Sequence, residues 1–113
     1  MPKEELEFIN TDTARHWREV EGSQGTMFEK ILAFDPESGS LTRLLRFEPG
    51  LETDDVLEHD FNEEVYILDG FMTDKHKRIT MGKGYYACRP AGMKHGPYSV
   101  PFGCTMFEVR SYD

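Results

Sequence analysis

The run "EHDFNEEVYILDG" (residues 58–70) sets His59 four residues before Glu63, at the head of a stretch that alternates like a β-strand. A second run, "GYYACRPAGMKHGPYS" (84–99), ends a β-prone segment with Pro90 and Gly92 and delivers His95 just past the turn. Imidazole and carboxylate are the donors that divalent first-row metals take from a rigid scaffold. Residues 59 and 63 are an even number apart, so both side chains can face inward along one extended segment. His95 must then arrive from an adjacent strand. The plainer alternative is three polar residues, each satisfied locally at a strand end or in a turn. Glu63 has its own second option, as the ion-pair partner of Arg43 or Arg46, because a buried carboxylate needs either a metal or a cation.

The elements that must position these side chains are short and extended. Turn signals recur at 21–25, 35–39, 48–50, 68–70, 81–84, 89–92 and 100–103, with β-prone runs between them. That rhythm predicts a sandwich or barrel of strands. "TMFEKILAF" (26–34) and "LTRLLRFE" (41–48) flank the hairpin turn "DPESG", and Leu41, Leu45 and Phe47 share a face with Arg43. In "EEVYILD", Val65 and Ile67 lie on the Glu63 side and Tyr66 and Leu68 on the other, which reads as a strand covered on both faces. In "CTMFEVRSY" (104–112), Phe107 and Val109 share one face, and Met106, Glu108 and Arg110 the other. Tyr66, Tyr86, Met106 and Phe107 are expected to fill the core. Thr11, Asp12 and Thr13 are capping types that can start a short helix, and Trp17 is expected to anchor a leading arm to the core. The fold class is all-β, with residues 1–20 as an N-terminal arm or leading strand and 21–113 as one domain.

Composition narrows the function. The chain has 113 residues, with 13 basic against 21 acidic and a net charge of −8. Such a surface repels phosphate backbones and anionic lipid, so neither nucleic acid nor membrane is an expected partner. The one basic cluster, "KHKR" (75–78), reads as a solvated hairpin tip, and His16 and His76 as surface residues. No apolar run approaches the roughly 20 residues that span a bilayer. The acidic start "MPKEELEFINTD" lacks the apolar core of an export signal, so a cytoplasmic location is expected. Cys88 and Cys104 stand sixteen apart without a CxxC pattern and are expected as buried free thiols.

The spacings resemble the cupin superfamily. Its second motif (G, five residues, P, one, G, two, H) is matched by Gly84, Pro90, Gly92 and His95. The end of its first motif (G, five, H-x-H, three or four, E, six, G) is matched by His59, Glu63 and Gly70, and Gly50 fits its opening glycine with one extra residue of spacing. The wider framing looks like the small single-domain cupins grouped with the ChrR-type anti-sigma cupin domain. The resemblance implies a double-stranded β-helix, a small jelly-roll barrel, with His59, Glu63 and His95 holding one divalent metal: Fe, Zn, Mn or Ni. The first histidine of the H-x-H pair falls on Leu57, which leaves three ligands where the family has four, and the asparagine after the second motif becomes Ser99.

Two His and one carboxylate are the set of non-haem Fe(II) oxygenases, with open positions for substrate and O₂. The same set suits zinc with a bound water of lowered pKa. The implied function is a metal-dependent small-molecule cupin, dioxygenase-like, acting on a small oxygenated organic substrate. The alternative is a non-catalytic ligand-binding or sensor cupin with a partly lost metal site. Tyr85, Arg89, Tyr98, Met106 and Arg43 are the expected lining of the substrate pocket. No residue is singled out as a catalytic acid or base. By analogy with small cupins the chain is expected to form a homodimer.

Overall fold

Asp35 nucleates the first long hairpin: its Oδ1 accepts from the Glu37 amide at 2.9 Å, and its carbonyl accepts from Gly39 N at 2.8 Å. Gly39 has φ of +83°, which glycine adopts without strain. The turn joins β2 (Met27–Phe34) to β3 (Leu41–Phe47). A computed structural model describes residues 2–112 of the chain. Before the hairpin come α1 (Thr11–Ala14), one turn capped by the Asn10 side chain, and β1 (Arg18–Glu19), which pairs with β2. After it come β4 (Leu51–Glu52), β5 (Leu57–Glu58), β6 (Asn62–Asp74), β7 (Ile79–Gly82), β8 (Tyr86–Arg89), β9 (Lys94–His95), β10 (Tyr98–Val100) and β11 (Cys104–Ser111). The larger sheet runs β1-β2-β3-β11-β6-β10-β4, with β7 and β8 also paired to β6, and β5 and β9 form a separate pair. Every pairing is antiparallel. The sheet curls into the small jelly-roll barrel expected from the motifs.

The long strand β6 makes the curl. Residues 62–70 pair with β11, and residues 71–74 with β7. The register with β11 skips Leu68, a bulge that inverts which residues face inward. Glu63, Val65 and Ile67 are buried before it, and Met72 and Asp74 after it. "LDG" is therefore a bend within one continuous strand rather than a turn between two. Gly70 sits there at φ +77°, and a Cβ would lie 2.3 Å from the carbonyl oxygen of Gly103. No other residue fits without backbone movement.

The core is Leu45, Val65, Ile67, Met72, Tyr98, Val100, Cys104 and Met106. Of the expected core residues, Met106 is buried, but Tyr66, Tyr86 and Phe107 are 45%, 57% and 37% exposed. They form one cross-strand row on the outer face, Phe107 opposite Tyr66 and Tyr66 opposite Tyr86. The face of β6 bearing Tyr66 and Leu68 is likewise open rather than covered. Charged residues take the inside. Arg43 donates to Glu29 at 2.5 Å and to Glu108, which is 0% exposed, and Arg110 reaches Glu108 at 3.3 Å.

The N-terminal arm lies over the outer face of β2 and β3, where Trp17 stacks with Arg46 (4.5 Å) and Lys30 (4.9 Å). Trp17 thus anchors the arm through cations rather than through the apolar core. Val20 does pack against that core. The "KHKR" tip turns between β6 and β7, and His16 and His76 are exposed. Both thiols are free, but only Cys104 is buried; Cys88 follows Tyr86 onto the outer face of β8. No helix among the described residues is long and apolar enough to cross a membrane.

Candidate metal centre and its pocket

His59, Glu63 and His95 converge. One donor atom from each lies within 4.8 Å of the other two. Three separate local devices bring them there. His59, between β5 and β6, is fixed by its carbonyl, which accepts from Gly92 N in the second motif's turn at 2.8 Å. Its ring stacks on buried Phe61 at 4.5 Å. Glu63 is the inward residue opening β6, and Arg89 on β8, its cross-strand partner, donates to it at 2.8 Å. His95 on β9 sits opposite Leu57 on β5, so the residue in the family's first-histidine position faces the site as an apolar wall. Glu58 and Asp55 are exposed and supply no replacement donor.

The donors are in metal-ready forms. Burial, together with the charges of Arg89 and His59, pulls the His95 imidazole down to about 4. Burial and the Arg110 charge lower His59 in the same way. Both rings are therefore neutral at physiological pH, with lone pairs available. For Glu63 burial acts upward, but hydrogen bonds from Glu108 and Arg89 outweigh it and hold the carboxyl below its ordinary value. Glu108 moves the other way, raised by burial and by its hydrogen bond to Glu63.

The test of fit is a single atom. Tyr98 Oη accepts from Arg89 Nη2 at 3.0 Å and lies 2.8 Å from His95 Nδ1. His95 Nε2 is buried with no partner. Nε2 is left unsatisfied in either tautomer, and a metal ion would satisfy it in the tautomer whose Nδ1–H donates to Tyr98. Metal-binding histidines are held in this way, the second nitrogen fixed by an outer acceptor. The residues present fit a divalent ion held by two imidazoles and one carboxylate.

The site opens into a cavity of about 280 Å³. Tyr85, Arg89, Tyr98, Met106 and Arg43 all line it. Their roles differ from a simple substrate cradle. Arg89 and Tyr98 spend their polar atoms on Glu63 and His95, Arg43 is committed to Glu29 and Glu108, and Tyr85 is exposed at the mouth. The arginine beside Glu63 is Arg89, not Arg43 or Arg46; Arg46 points outward onto Trp17 and Phe28. Two further lining residues, Glu108 and Arg110, were not picked out as site residues. Their signal was present in the alternation of "MFEVR", which sets both on the Met106 face.

Comparison with known proteins agrees with this fold. An acetylacetone dioxygenase from Acinetobacter johnsonii superposes with a TM-score of 0.71 at 18% identity, over 96% of this chain and 74% of that one. KdgF from a Halomonas species gives 0.73 at 18% identity, over 97% and 96% of the two chains. An RmlC-like cupin from Ralstonia eutropha JMP134 gives 0.70 at 17% identity over 87% of this chain; the match spans only 64% of that longer protein. No relative is found among proteins of curated function. At such identities the solved structures establish the fold alone. The sequence model of the ChrR cupin-like domain, however, matches residues 5–111, nearly the whole chain. The chain belongs to the ChrR cupin-like domain family.

Proposed function

We propose that this protein is a metal-dependent small-molecule cupin, with His59, Glu63 and His95 holding one divalent ion of Fe, Zn, Mn or Ni and with dioxygenase-type chemistry on a small oxygenated organic substrate. The observation that carries the reading is the buried, partnerless Nε2 of His95 beside the His59 and Glu63 donors. When bound, such an ion supplies Lewis-acid polarisation of a substrate oxygen and, if redox-active, chemistry with O₂. The chain's own residues do the rest. Tyr98 orients His95, Arg89 orients Glu63, and Phe61 clamps the His59 ring. Leu57, Val65, Ile67 and Met106 give the cavity apolar walls, and such walls strengthen the polar contacts beside them. The acetylacetone dioxygenase likeness supports the reaction class by analogy.

Equilibrium dialysis of tag-free protein against each ion, followed by elemental analysis, tests this. The expected result is about one equivalent for at least one of the four ions, lost in His95→Ala. Less than about a tenth of an equivalent for all of them overturns it.

Two observations favour a second reading, a non-catalytic ligand-binding or sensor cupin: Glu63 is already engaged by Arg89, and Leu57 replaces a ligand. On that reading the same dialysis finds no ion, while the cavity still takes up an organic ligand.

A further inference from the structure

We infer that the organic ligand of this cavity is a small carboxylate, gripped by the free end of Arg110 beside the His59, Glu63 and His95 triad. The inference rests on the reading of the cavity as a small-molecule site. Three arginines line that cavity, and they are not equivalent. Arg43 is 6% exposed and committed through Nε to Glu108 and through Nη1 to Glu29. Arg89 uses Nη1 on Glu63 and Nη2 on Tyr98. Arg110 uses only Nε, on Glu108 at 3.3 Å; among the described residues neither of its terminal nitrogens has a partner. Its side chain is 25% exposed, so it stands at the rim, where an incoming ligand meets it.

Its placement is set by the sheet. Arg110 on β11 is the cross-strand partner of Glu63 on β6, which in turn pairs with Arg89 on β8. The proposed ligand carboxylate Glu63 thus has an arginine on each side, one occupied and one with an open fork. The Arg110 guanidinium lies 4.3 Å over the Phe61 ring, and Phe61 stacks on His59. Aromatic support of this kind holds a guanidinium plane in place and leaves its edge, where the N–H groups are, open. That edge matches a carboxylate bidentately.

Charge balance points the same way. The three guanidiniums face three carboxyls, Glu29, Glu63 and Glu108, so the cluster has no spare carboxylate. A divalent ion adds two positive charges to an apolar enclosure, and an organic anion offsets them. A neutral ligand leaves them uncompensated.

Isothermal titration with succinate and with its neutral isostere succinamide tests the proposal, on metal-loaded and metal-free protein in parallel. Succinate is expected to bind at least about tenfold more tightly than succinamide, and Arg110→Gln to remove about that factor. Arg110→Lys, which keeps the charge but not the fork, should recover part of it, and thermal melts confirm that each variant is folded. Equal affinity for the two probes, or succinate binding unchanged in Arg110→Gln, overturns the carboxylate site. Arg110-dependent succinate binding in protein that takes up no metal supports the carboxylate site and overturns the metal reading, so the two failures are distinguishable.

Discussion

Replacing Arg43 with methionine should be among the most damaging single changes in the barrel, although it touches no proposed metal ligand. The guanidinium is 6% exposed and lies between Glu29 and Glu108, whose side chains are 10% and 0% exposed. Burial alone would lower the Arg43 pKa, but the charges and hydrogen bonds of the two carboxyls raise it, so it stays cationic in the folded state. Methionine fills similar volume and leaves two buried carboxyls short of their cation. Arg18, 68% exposed, then remains for Glu29, and Arg110 for Glu108. Removing one partner of a buried ionic cluster costs about 3–5 kcal/mol. That is a large share of the roughly 5–15 kcal/mol that holds a domain of this size folded. At roughly 3–6 °C per kcal/mol, the melting temperature should fall on the order of 10–30 °C. Glu108→Gln makes the contrast. The amide keeps one acceptor oxygen but sets an NH2 group where the carboxyl accepts from Arg43 or Arg110, and should cost about 1–3 kcal/mol. Urea titrations of metal-free wild type, Arg43→Met and Glu108→Gln measure all three. Arg43→Met within about 1 kcal/mol of wild type would show that the buried charges are not tied together. Glu108→Gln more damaging than Arg43→Met would show that the carboxyl, rather than its cation, holds the cluster together.

Other expectations follow from single contacts. Tyr98→Phe removes the acceptor for His95 Nδ1, and metal affinity should fall about 10–100-fold with little loss of fold, as read by competition with a chromogenic chelator. Leu57→His puts an imidazole across the β5–β9 pair from His95 and should tighten metal binding; unchanged or weaker affinity would show that Leu57 does not occupy a ligand position. Gly70→Ala forces a Cβ to within 2.3 Å of the Gly103 carbonyl at positive φ, and should cost about 2 kcal/mol or more by denaturant titration. Exposed Cys88 should react with a thiol reagent in the native state, whereas Cys104, 3% exposed and with its thiol pushed up to about 11 by burial and by the Asp69 charge, should react only after unfolding. Light scattering should give twice the chain mass if the homodimer expected from small cupins forms, and a monomer at micromolar concentration would contradict it.

The fold was legible because two motifs fix glycine, proline and histidine at spacings that only certain turns satisfy, and because the turn signals bound short strands. The convergence of His59, Glu63 and His95 followed from the same spacings. That β6, β8 and β11 each bury only one face was not legible. Alternation normally identifies the buried face by its apolar residues, yet here the inner face carries Arg43, Arg89, Arg110, Glu63 and Glu108, neutralised by one another across strands. The outer row of Phe107, Tyr66 and Tyr86 therefore looked more like core than the core did. The bulge at Leu68 hid for a related reason. "LDG" carries turn residues, but Gly70 answers a close approach by Gly103, a contact between segments distant in sequence. The partner of Glu63 was misread because β6 pairs with β8, which no local pattern announces, and Arg89 rather than Arg43 or Arg46 lies opposite.

The central claim is that three side chains hold one ion, and anomalous diffraction from crystals grown with Zn(II) or Fe(II) tests it most directly. The account predicts one strong peak within about 2.0–2.2 Å of an imidazole nitrogen of His59, Nε2 of His95 and a carboxylate oxygen of Glu63. Density showing Glu63 still held by Arg89 alone, with no peak between the three residues, would contradict it.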